Sequence, residues 1–163
     1  VEYGDGFSNV PRPVYAGGFV LLCTGFYKPE LLAVRPDGSG NVTGTHIAWR
    51  VGRSVPLTPS PIIVGQEVYM VSDNGILTAL DFKTGRIHYQ ERLGGNYSAS
   101  PLFADGRLYL SSEDGDTHVF NPGTEFKKIA TNRLDGQLFA SPAVAGKSLI
   151  LRTDSALYRI EEK

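Results

Sequence analysis

A proline that recurs at a nearly constant interval constrains this sequence more than any other feature. Pro13, Pro61, Pro101 and Pro142 are 48, 40 and 41 residues apart. An aliphatic residue follows seven positions after each proline, and a hydroxyl-bearing residue follows eleven positions after it: Val20, Val68, Leu108 and Leu149, then Thr24, Ser72, Ser112 and Thr153. A repeat of about 40 residues that contains several strands is typical of propeller blades. The sequence therefore predicts four copies of one structural unit.

Each unit has the pattern of a four-stranded antiparallel meander. In the second unit a first strand follows the proline at Ile62–Val64, and a second strand follows at Val68–Val71. The turn Asp73-Asn74-Gly75 leads to a third strand at Ile76–Leu80, because Asn-Gly supplies the positive φ that tight hairpins need. A fourth strand carries an aromatic residue, at Ile87–Tyr89. No segment has sustained helical periodicity, so we predict an all-β fold, a β-propeller made of four-stranded antiparallel blades.

The blade boundaries follow from the same repeat. We expect residues 1–163 to form a single β-propeller domain or a segment of one, with blades at about 12–52, 58–94, 98–135 and 138–161. The fourth unit ends after its third strand, so either residues 1–10 supply its fourth strand or more sequence precedes this chain. An open arc would expose two apolar blade faces. We therefore expect part of a larger ring, completed by a missing upstream half or by a homodimer.

Charge and composition exclude several function classes. The formal net charge is -1 and no basic run occurs, so we expect no nucleic-acid partner. No apolar stretch reaches the length of about 18 residues that a membrane span needs. The single cysteine, Cys23, excludes an internal disulfide and a cysteine-based metal site. Residues 1–10 contain no signal peptide.

The stretch ALDFKTGRIHY, from Ala79 to Tyr89, resembles the repeat of pyrroloquinoline-quinone-type β-propellers, Ala-x-Asp-x-x-Thr-Gly-x-x-x-Trp. Tyr89 occupies the position where that family usually has tryptophan, and a looser copy ends at Trp49. The resemblance covers residues 12–161 and is greatest to uncharacterised exported bacterial propellers. It implies a non-catalytic binding or scaffolding module in the periplasm or another exported location, with a protein, peptide or glycan partner.

The alternative that the resemblance implies is a fragment of a pyrroloquinoline-quinone-dependent dehydrogenase. Such enzymes hold calcium beside the quinone, use an aspartate base, and in many cases have a disulfide between adjacent cysteines over the cofactor. One cysteine cannot form that pair, and no carboxylate constellation matches the family site. We therefore expect no catalysis and no cofactor, with the quinone and calcium kept as the alternative.

The turns between second and third strands, which we call the rim turns, hold the candidate contact residues. Their acidic members could bind calcium from one rim, but Asp and Gly are also ordinary hairpin residues, and we favour the latter reading and no metal site. The candidates on these turns are Asp73, Glu113, Asp114, Asp116 and Asp154. Arg12, Tyr97 and Arg152 are further candidate contacts, together with two longer polar loops at residues 35–45 and 121–133.

The remaining reactive side chains do not form a recognisable motif. His46, His88 and His118 fall at different positions of the repeat, so we expect no common histidine site. No Gly-x-Ser-x-Gly elbow is present. Since the hydroxyl-bearing residue recurs once in each unit, we predict that it satisfies backbone groups of the rim turn.

Overall fold

The computed structural model describes residues 1–4 and 7–161 and confirms the all-β prediction. Three sheets have four antiparallel strands and the last has three, each in sequence order. Sheet 1 contains β1 (Val14–Ala16), β2 (Phe19–Cys23), β3 (Leu31–Val34) and β4 (Ile47–Val51). Sheet 2 contains β5 (Ile62–Val64), β6 (Glu67–Val71), β7 (Ile76–Asp81) and β8 (Ile87–Arg92). Sheet 3 contains β9 (Leu102–Ala104), β10 (Arg107–Ser111), β11 (Asp116–Asn121) and β12 (Lys127–Arg133). Sheet 4 contains β13 (Ala143–Ala145), β14 (Ser148–Arg152) and β15 (Leu157–Ile160).

The two loops predicted to be polar contain some regular structure. One helical turn, α1 (Thr43–His46), lies in the 35–45 loop, and no helix among the described residues is long and apolar enough to cross a bilayer. The segment 121–133 is a loop only over residues 122–126, because Asn121 ends β11 and Lys127–Arg133 pairs along β11 as β12. Charged residues are well tolerated on an outer edge strand, since they discourage further pairing.

Apolar contacts between neighbouring sheets form the core. One cluster joins Leu21 and Leu31 of sheet 1 to Val68 and Leu80 of sheet 2, and all four are at most 1% exposed. A second cluster joins sheets 2 and 3. Both faces of sheet 2 are therefore buried, as expected for stacked blades.

A relay of serines connects the innermost strands. The serine before each of the last three repeat prolines accepts a hydrogen bond from the backbone of the preceding unit, at 2.9 Å in each case. The donors are the N–H groups of Arg12, Ser60 and Ser100, and the acceptors are the Oγ atoms of Ser60, Ser100 and Ser141. Because Arg12 has no hydroxyl, the relay begins at sheet 1. The backbone N–H of Arg12, rather than its side chain, makes the contact with Ser60.

The N-terminal segment packs on sheet 1. The N–H of Phe26 donates to the carbonyl oxygen of Phe7 at 2.8 Å, and the two residues form an isolated antiparallel bridge. Glu2 bonds to Asn41 and Thr43 of the 35–45 loop. Of the two alternatives for the fourth blade, a strand from residues 1–10 is therefore wrong for the described residues.

The outward face of sheet 4 is mixed rather than wholly apolar as the sequence predicted, because Leu157, 71% exposed, lies on it beside charged side chains. On this face Ile150 pairs with Arg159, and Arg152 pairs with Leu157, whereas Leu151 on the opposite face is buried. The two arginine side chains are exposed. The expectation failed because Arg152 and Arg159 occupy positions of this face that hold small or apolar residues in the other sheets, such as Val71 and Ala79.

Candidate functional site

The rim turns share one edge of the molecule with the segments that connect the sheets. Between sheets 2 and 3, the N–H of Tyr97 donates to the carbonyl oxygen of Asp73 at 2.9 Å, and the N–H of Glu113 donates to that of Asn96 at 2.8 Å. The same pattern recurs between sheets 3 and 4. The N–H of Leu138 donates to the carbonyl oxygen of Glu113 at 3.3 Å, and the N–H of Asp154 donates to that of Gln137 at 3.0 Å. Each connecting segment is therefore held between two successive rim turns.

The rim carboxylates that the sequence singled out reinforce these contacts. Asp73 Oδ2 accepts from the N–H of Leu57 at 2.6 Å, and Glu113 Oε1 accepts from Ser98 Oγ at 2.6 Å. Asp154 Oδ1 accepts from the N–H of Gln137 at 2.9 Å. These three side chains hold the connecting segments in place, as hairpin and linker residues do. No group of three or more possible metal-ligating side chains occurs in the described part of the chain.

The recurring hydroxyl has the role that the sequence predicts. Ser72 Oγ accepts from the N–H of Ile76 at 3.0 Å, and Thr153 Oγ1 accepts from the N–H of Ala156 at 3.0 Å. Thr24 Oγ1 accepts from Glu30 at 2.9 Å. These bonds satisfy backbone donors inside the rim turns, which confirms the prediction for these three turns.

The other candidate contacts do not converge on one site. Asp116 is the first residue of β11 and pairs with Arg133 at 3.2 Å. Asp114 is exposed on its rim turn. Arg12 lies at the start of sheet 1, and Arg152 lies on the outward face of sheet 4. The structure therefore places these four residues on three different sheets.

The prediction that Tyr97 is a surface contact is wrong. Its side chain is 0% exposed and packs between sheets 2 and 3, where the corresponding positions of the neighbouring units hold Leu57 and Leu138. Its hydroxyl has no hydrogen-bond partner among the described residues. Burial, with Asp116 and Asp114 nearby, raises its pKa. Burial also lowers the pKa of neighbouring His118.

Replacing Tyr97 with phenylalanine is expected to stabilise the protein by about 1 kcal/mol. A buried hydroxyl without a partner costs about 1–3 kcal/mol, and this change removes only that hydroxyl. Urea denaturation followed by circular dichroism measures the effect. A loss of stability instead would show that the hydroxyl is satisfied in solution.

The rim turn of sheet 1 departs from the acidic pattern of the others. It reads Gly25-Phe26-Tyr27 where the other turns begin with Asp73, Glu113 and Asp154. Gly25 has φ 79°, and a β-carbon there would lie 2.5 Å from the carbonyl oxygen of Phe7. Glycine therefore allows the N-terminal segment to approach this turn closely. The Phe7 and Phe26 rings stack at 5.3 Å, tilted by 59°.

An aromatic cleft of about 380 Å³ opens beside this turn. Its lining is mostly apolar and comes from the N-terminal segment, the first rim turn and the segment that connects sheets 1 and 2. The lining residues are Phe7, Ser8, Val10, Phe26, Leu57, Thr58 and Asp73. Phe7 is 54% exposed, Val10 60% and Phe26 48%. Since the Asp73 carboxylate already accepts from Leu57, the cleft offers mainly apolar contact.

Two of the four non-glycine residues with positive φ in the described part of the chain lie at or beside the cleft, and the other two are Ser54 and Asp105. Tyr27 follows Phe26, has φ 88° and is 75% exposed, and Ser8 in the lining has φ 54°. A bulky non-glycine residue with positive φ is a rare and costly conformation, and such residues cluster at functional sites. The aromatic cleft is therefore the strongest candidate site.

The sequence analysis missed Phe7, Phe26 and Tyr27. The sequence did contain a signal for Phe26 and Tyr27, because these two aromatic residues replace the polar residues of the other rim turns. The role of Phe7 had no such signal, since its position depends on how the N-terminal segment folds back.

The tryptophan and the aspartate of the repeat motif make structural contacts in this chain. The single tryptophan, Trp49, is 9% exposed, and its indole Nε1 donates to the carbonyl oxygen of Phe82 at 3.1 Å. The Asp81 carboxylate of the family motif accepts from Thr84 at 2.6 Å, which lowers its pKa. Both groups therefore serve structural contacts, and we derive no reaction step through a quinone.

Cys23 is expected to be unreactive in the folded protein. It is 4% exposed, and burial, with Asp73 nearby, raises its pKa to about 12. At pH 8 a thiol with this pKa is thiolate in only about 1 molecule in 10,000, and the thiolate is the reactive form. Reaction with dithiobis(nitrobenzoate) should therefore require unfolding in guanidinium. Rapid reaction of the native protein would contradict the described packing.

Comparisons with known proteins agree with this architecture. A family model described as "Outer membrane protein assembly factor BamB" matches residues 33–124. The curated relatives include proteins of that name from Burkholderia pseudomallei, 30% identical over 104 residues, and Legionella pneumophila, 26% identical over 165 residues. The matches cover 63% and 96% of this chain but only 26% and 40% of the relatives, so the chain spans a minor part of their length.

Solved structures show the same fold at low sequence identity. BamB from Moraxella catarrhalis is 14% identical with a TM-score of 0.66, covering 90% of this chain and 41% of that one. A europium-containing methanol dehydrogenase is 14% identical with a TM-score of 0.60, covering 76% of this chain and 24% of that one. The family match extends over more than half of the chain. The chain therefore belongs to the pyrroloquinoline-quinone-like β-propeller family whose model is described as "Outer membrane protein assembly factor BamB".

Proposed function

We propose that this chain is a non-catalytic propeller segment that binds a protein partner through the aromatic cleft on its rim, in the periplasm or another exported location. It forms one propeller domain or part of one, without a bound cofactor. The observation that carries the proposal is the strained, exposed aromatic turn at Phe26 and Tyr27. The names of the relatives, which refer to outer membrane protein assembly, support an exported scaffold role.

The cleft has the properties of a protein-contact site. Aromatic residues are enriched among the residues that dominate binding energy at interfaces. A volume of about 380 Å³ is at the small end for a ligand pocket and accommodates one or two apolar side chains of a partner loop. The exposed rings around it would be covered by such a loop. On the other rim turns the leading carboxylates of Asp73, Glu113 and Asp154 accept hydrogen bonds from the connecting segments.

A peptide-library selection tests this proposal. We expect peptides selected on the folded chain to contain aromatic or aliphatic anchors, and a F26S/Y27S double variant to weaken their binding by about tenfold or more. Fluorescence anisotropy measures the dissociation constants. Lys83→Ser, a change at an exposed residue of sheet 2, is the matched control and should leave binding unchanged.

Tyr27→Gly separates binding from folding. Glycine relieves the positive φ, so the variant should keep its melting temperature while peptide affinity falls. Peptides that bind the double variant as tightly as the native chain would reject the cleft as the binding site. Dye reduction with an alcohol or sugar, seen only after addition of pyrroloquinoline quinone and calcium, would reject the non-catalytic proposal itself.

A further inference from the structure

One carboxylate lies in the lining of the aromatic cleft. Asp73 is half-buried there, and the other lining residues are apolar or carry a hydroxyl. Its Oδ2 accepts from the N–H of Leu57 at 2.6 Å. Its Oδ1 has no hydrogen-bond or ion-pair partner among the residues that the structure describes. The cleft therefore contains one carboxylate oxygen that a ligand can engage.

The charge of Asp73 acts close to the apolar core. Burial, and to a lesser extent the nearby Asp73 carboxylate, raise the pKa of Cys23 to about 12. Cys23 is 4% exposed and belongs to the core cluster between sheets 1 and 2. Opposite charges attract more strongly beside such a poorly solvated region than on an open surface.

The combination of this carboxylate with aromatic rings is not repeated at the equivalent places on the rim. Asp73 follows the rim turn that contains Phe26. Glu113 follows a turn with Asn74 in that position, and Asp154 follows one with Asp114. The repeat itself therefore explains a carboxylate that holds a connecting segment, but it does not explain the aromatic surface beside Asp73.

The two rings provide a second source of attraction for a cation. Phe7 and Phe26 have ring centroids 5.3 Å apart and are tilted by 59°, and about half of each side chain is exposed. A cation over the face of an aromatic ring is attracted by the ring quadrupole. The alkyl stem of a long basic side chain also packs well on apolar surface. An apolar stem with a cationic head thus matches the cleft.

A purely apolar partner loop is a poorer occupant. Covering the cleft would withdraw water from Asp73 Oδ1 and leave the carboxylate without compensation, and burying an unpaired charge is costly. An acidic loop would be repelled by the same group. A cation compensates the charge, so Asp73 determines the sign of the group that the partner must present.

Lysine fits this carboxylate better than arginine does. A guanidinium group pairs most strongly as a fork that uses both carboxylate oxygens. Because Asp73 Oδ2 already accepts from the N–H of Leu57, such a fork would compete with that bond. The ammonium group is a compact charge that can pair with Oδ1 alone.

We propose that the aromatic cleft takes a lysine side chain of the protein partner, with the alkyl stem against Phe7 and Phe26 and the ammonium group on Asp73 Oδ1. The inference rests on the proposed function, since it names the side chain that the same cleft recognises. In this arrangement the rings contribute affinity, and Asp73 selects the charge.

A peptide selection on the native chain and on Asp73→Asn tests the charge requirement. Asparagine can still accept from the N–H of Leu57, so the variant removes the charge and keeps that contact. We expect lysine beside the apolar anchor in peptides selected on the native chain, and no such enrichment on the variant. Glu113→Gln is the matched control, because it removes a rim carboxylate that has no aromatic turn beside it, and should keep the enrichment.

Fluorescence anisotropy with the tightest lysine-containing peptide measures the effect. Norleucine in place of its lysine keeps the alkyl stem, and should weaken binding to the native chain about fivefold or more but to Asp73→Asn less than about twofold. Arginine in the same place should bind the native chain less tightly than lysine does. The preference for lysine should decrease as salt rises.

Three results would overturn the proposal: selected peptides without lysine, an equal effect of norleucine on the native chain and on Asp73→Asn, or tighter binding of the arginine peptide. If Asp73→Asn is unfolded by circular dichroism, the norleucine and arginine peptides on the native chain decide. Failure of the inference is distinguishable from failure of the cleft. F26S/Y27S weakens the selected peptides in the first case and leaves their binding unchanged in the second.

Discussion

Replacing Trp49 with alanine is expected to lower the free energy of unfolding by about 3–5 kcal/mol, the range for deleting a large buried aromatic side chain. Trp49 lies at the boundary of sheets 1 and 2, and its indole donates to the carbonyl oxygen of Phe82 in the neighbouring sheet. The ring also lies against Gly85, where a β-carbon would be 2.7 Å from the indole. The change reduces the buried apolar area and leaves a cavity. It also removes the hydrogen-bond donor of the Phe82 carbonyl oxygen.

Trp49→Phe is the matched control. Phenylalanine keeps most of the apolar contact and loses the hydrogen bond, so we expect a loss of about 1–2 kcal/mol. Urea denaturation must be followed by circular dichroism, because Trp49 is the single tryptophan and its fluorescence disappears with it. A loss below about 1 kcal/mol for the alanine variant would contradict the stacking of sheets 1 and 2.

Replacing Tyr69 with phenylalanine is expected to destabilise the protein by about 1–3 kcal/mol, because it removes two hydrogen bonds to the partly buried backbone of Gly123. The Tyr69 hydroxyl accepts from the N–H of Gly123 at 2.6 Å and donates to the carbonyl oxygen of the same residue at 3.2 Å. These two bonds connect sheet 2 to the loop between β11 and β12. Burial of the ring raises the pKa of the hydroxyl.

Tyr97→Phe provides the comparison for this variant. Both tyrosines are 0% exposed and both substitutions remove one oxygen atom, but only Tyr69 has partners for it among the described residues. We therefore expect opposite signs, a loss at Tyr69 and a gain at Tyr97, in the same urea experiment. Equal effects would mean that burial of the oxygen, and not its hydrogen bonding, decides stability at these positions.

The architecture could be predicted because it depends on features that recur. The proline and hydroxyl positions repeat in every unit, and the hydroxyls of Thr24, Ser72 and Thr153 do satisfy the rim turns. Strand alternation and Asn-Gly or Asp-Gly turns gave the order of strands for the same reason. Such local patterns can be predicted because the residues that cause them lie within a few positions of one another in the sequence.

The candidate site could not be predicted in the same way. Tyr97 has a polar atom and looked like a surface contact, but its burial depends on the packing of two sheets. The cleft depends on the N-terminal segment folding back to place Phe7 against Phe26. The charge of the last sheet depends on the register that brings Arg152 and Arg159 to one face. Each of these is a contact between residues distant in sequence or a matter of pairing register.

The serine relay should determine the order in which the sheets open. Each donor depends on the hydroxyl of the following unit, as Ser100 depends on Ser141. Opening of sheet 4 therefore removes the acceptor of Ser100 and exposes that amide to hydrogen exchange, whereas opening of sheet 1 leaves every serine hydroxyl in its place. In repeat proteins each unit is stabilised by its contacts with the neighbouring units. Local opening should thus spread from the last sheet towards the first, with amide protection lost at Ser100 before Ser60 and at Ser60 before Arg12.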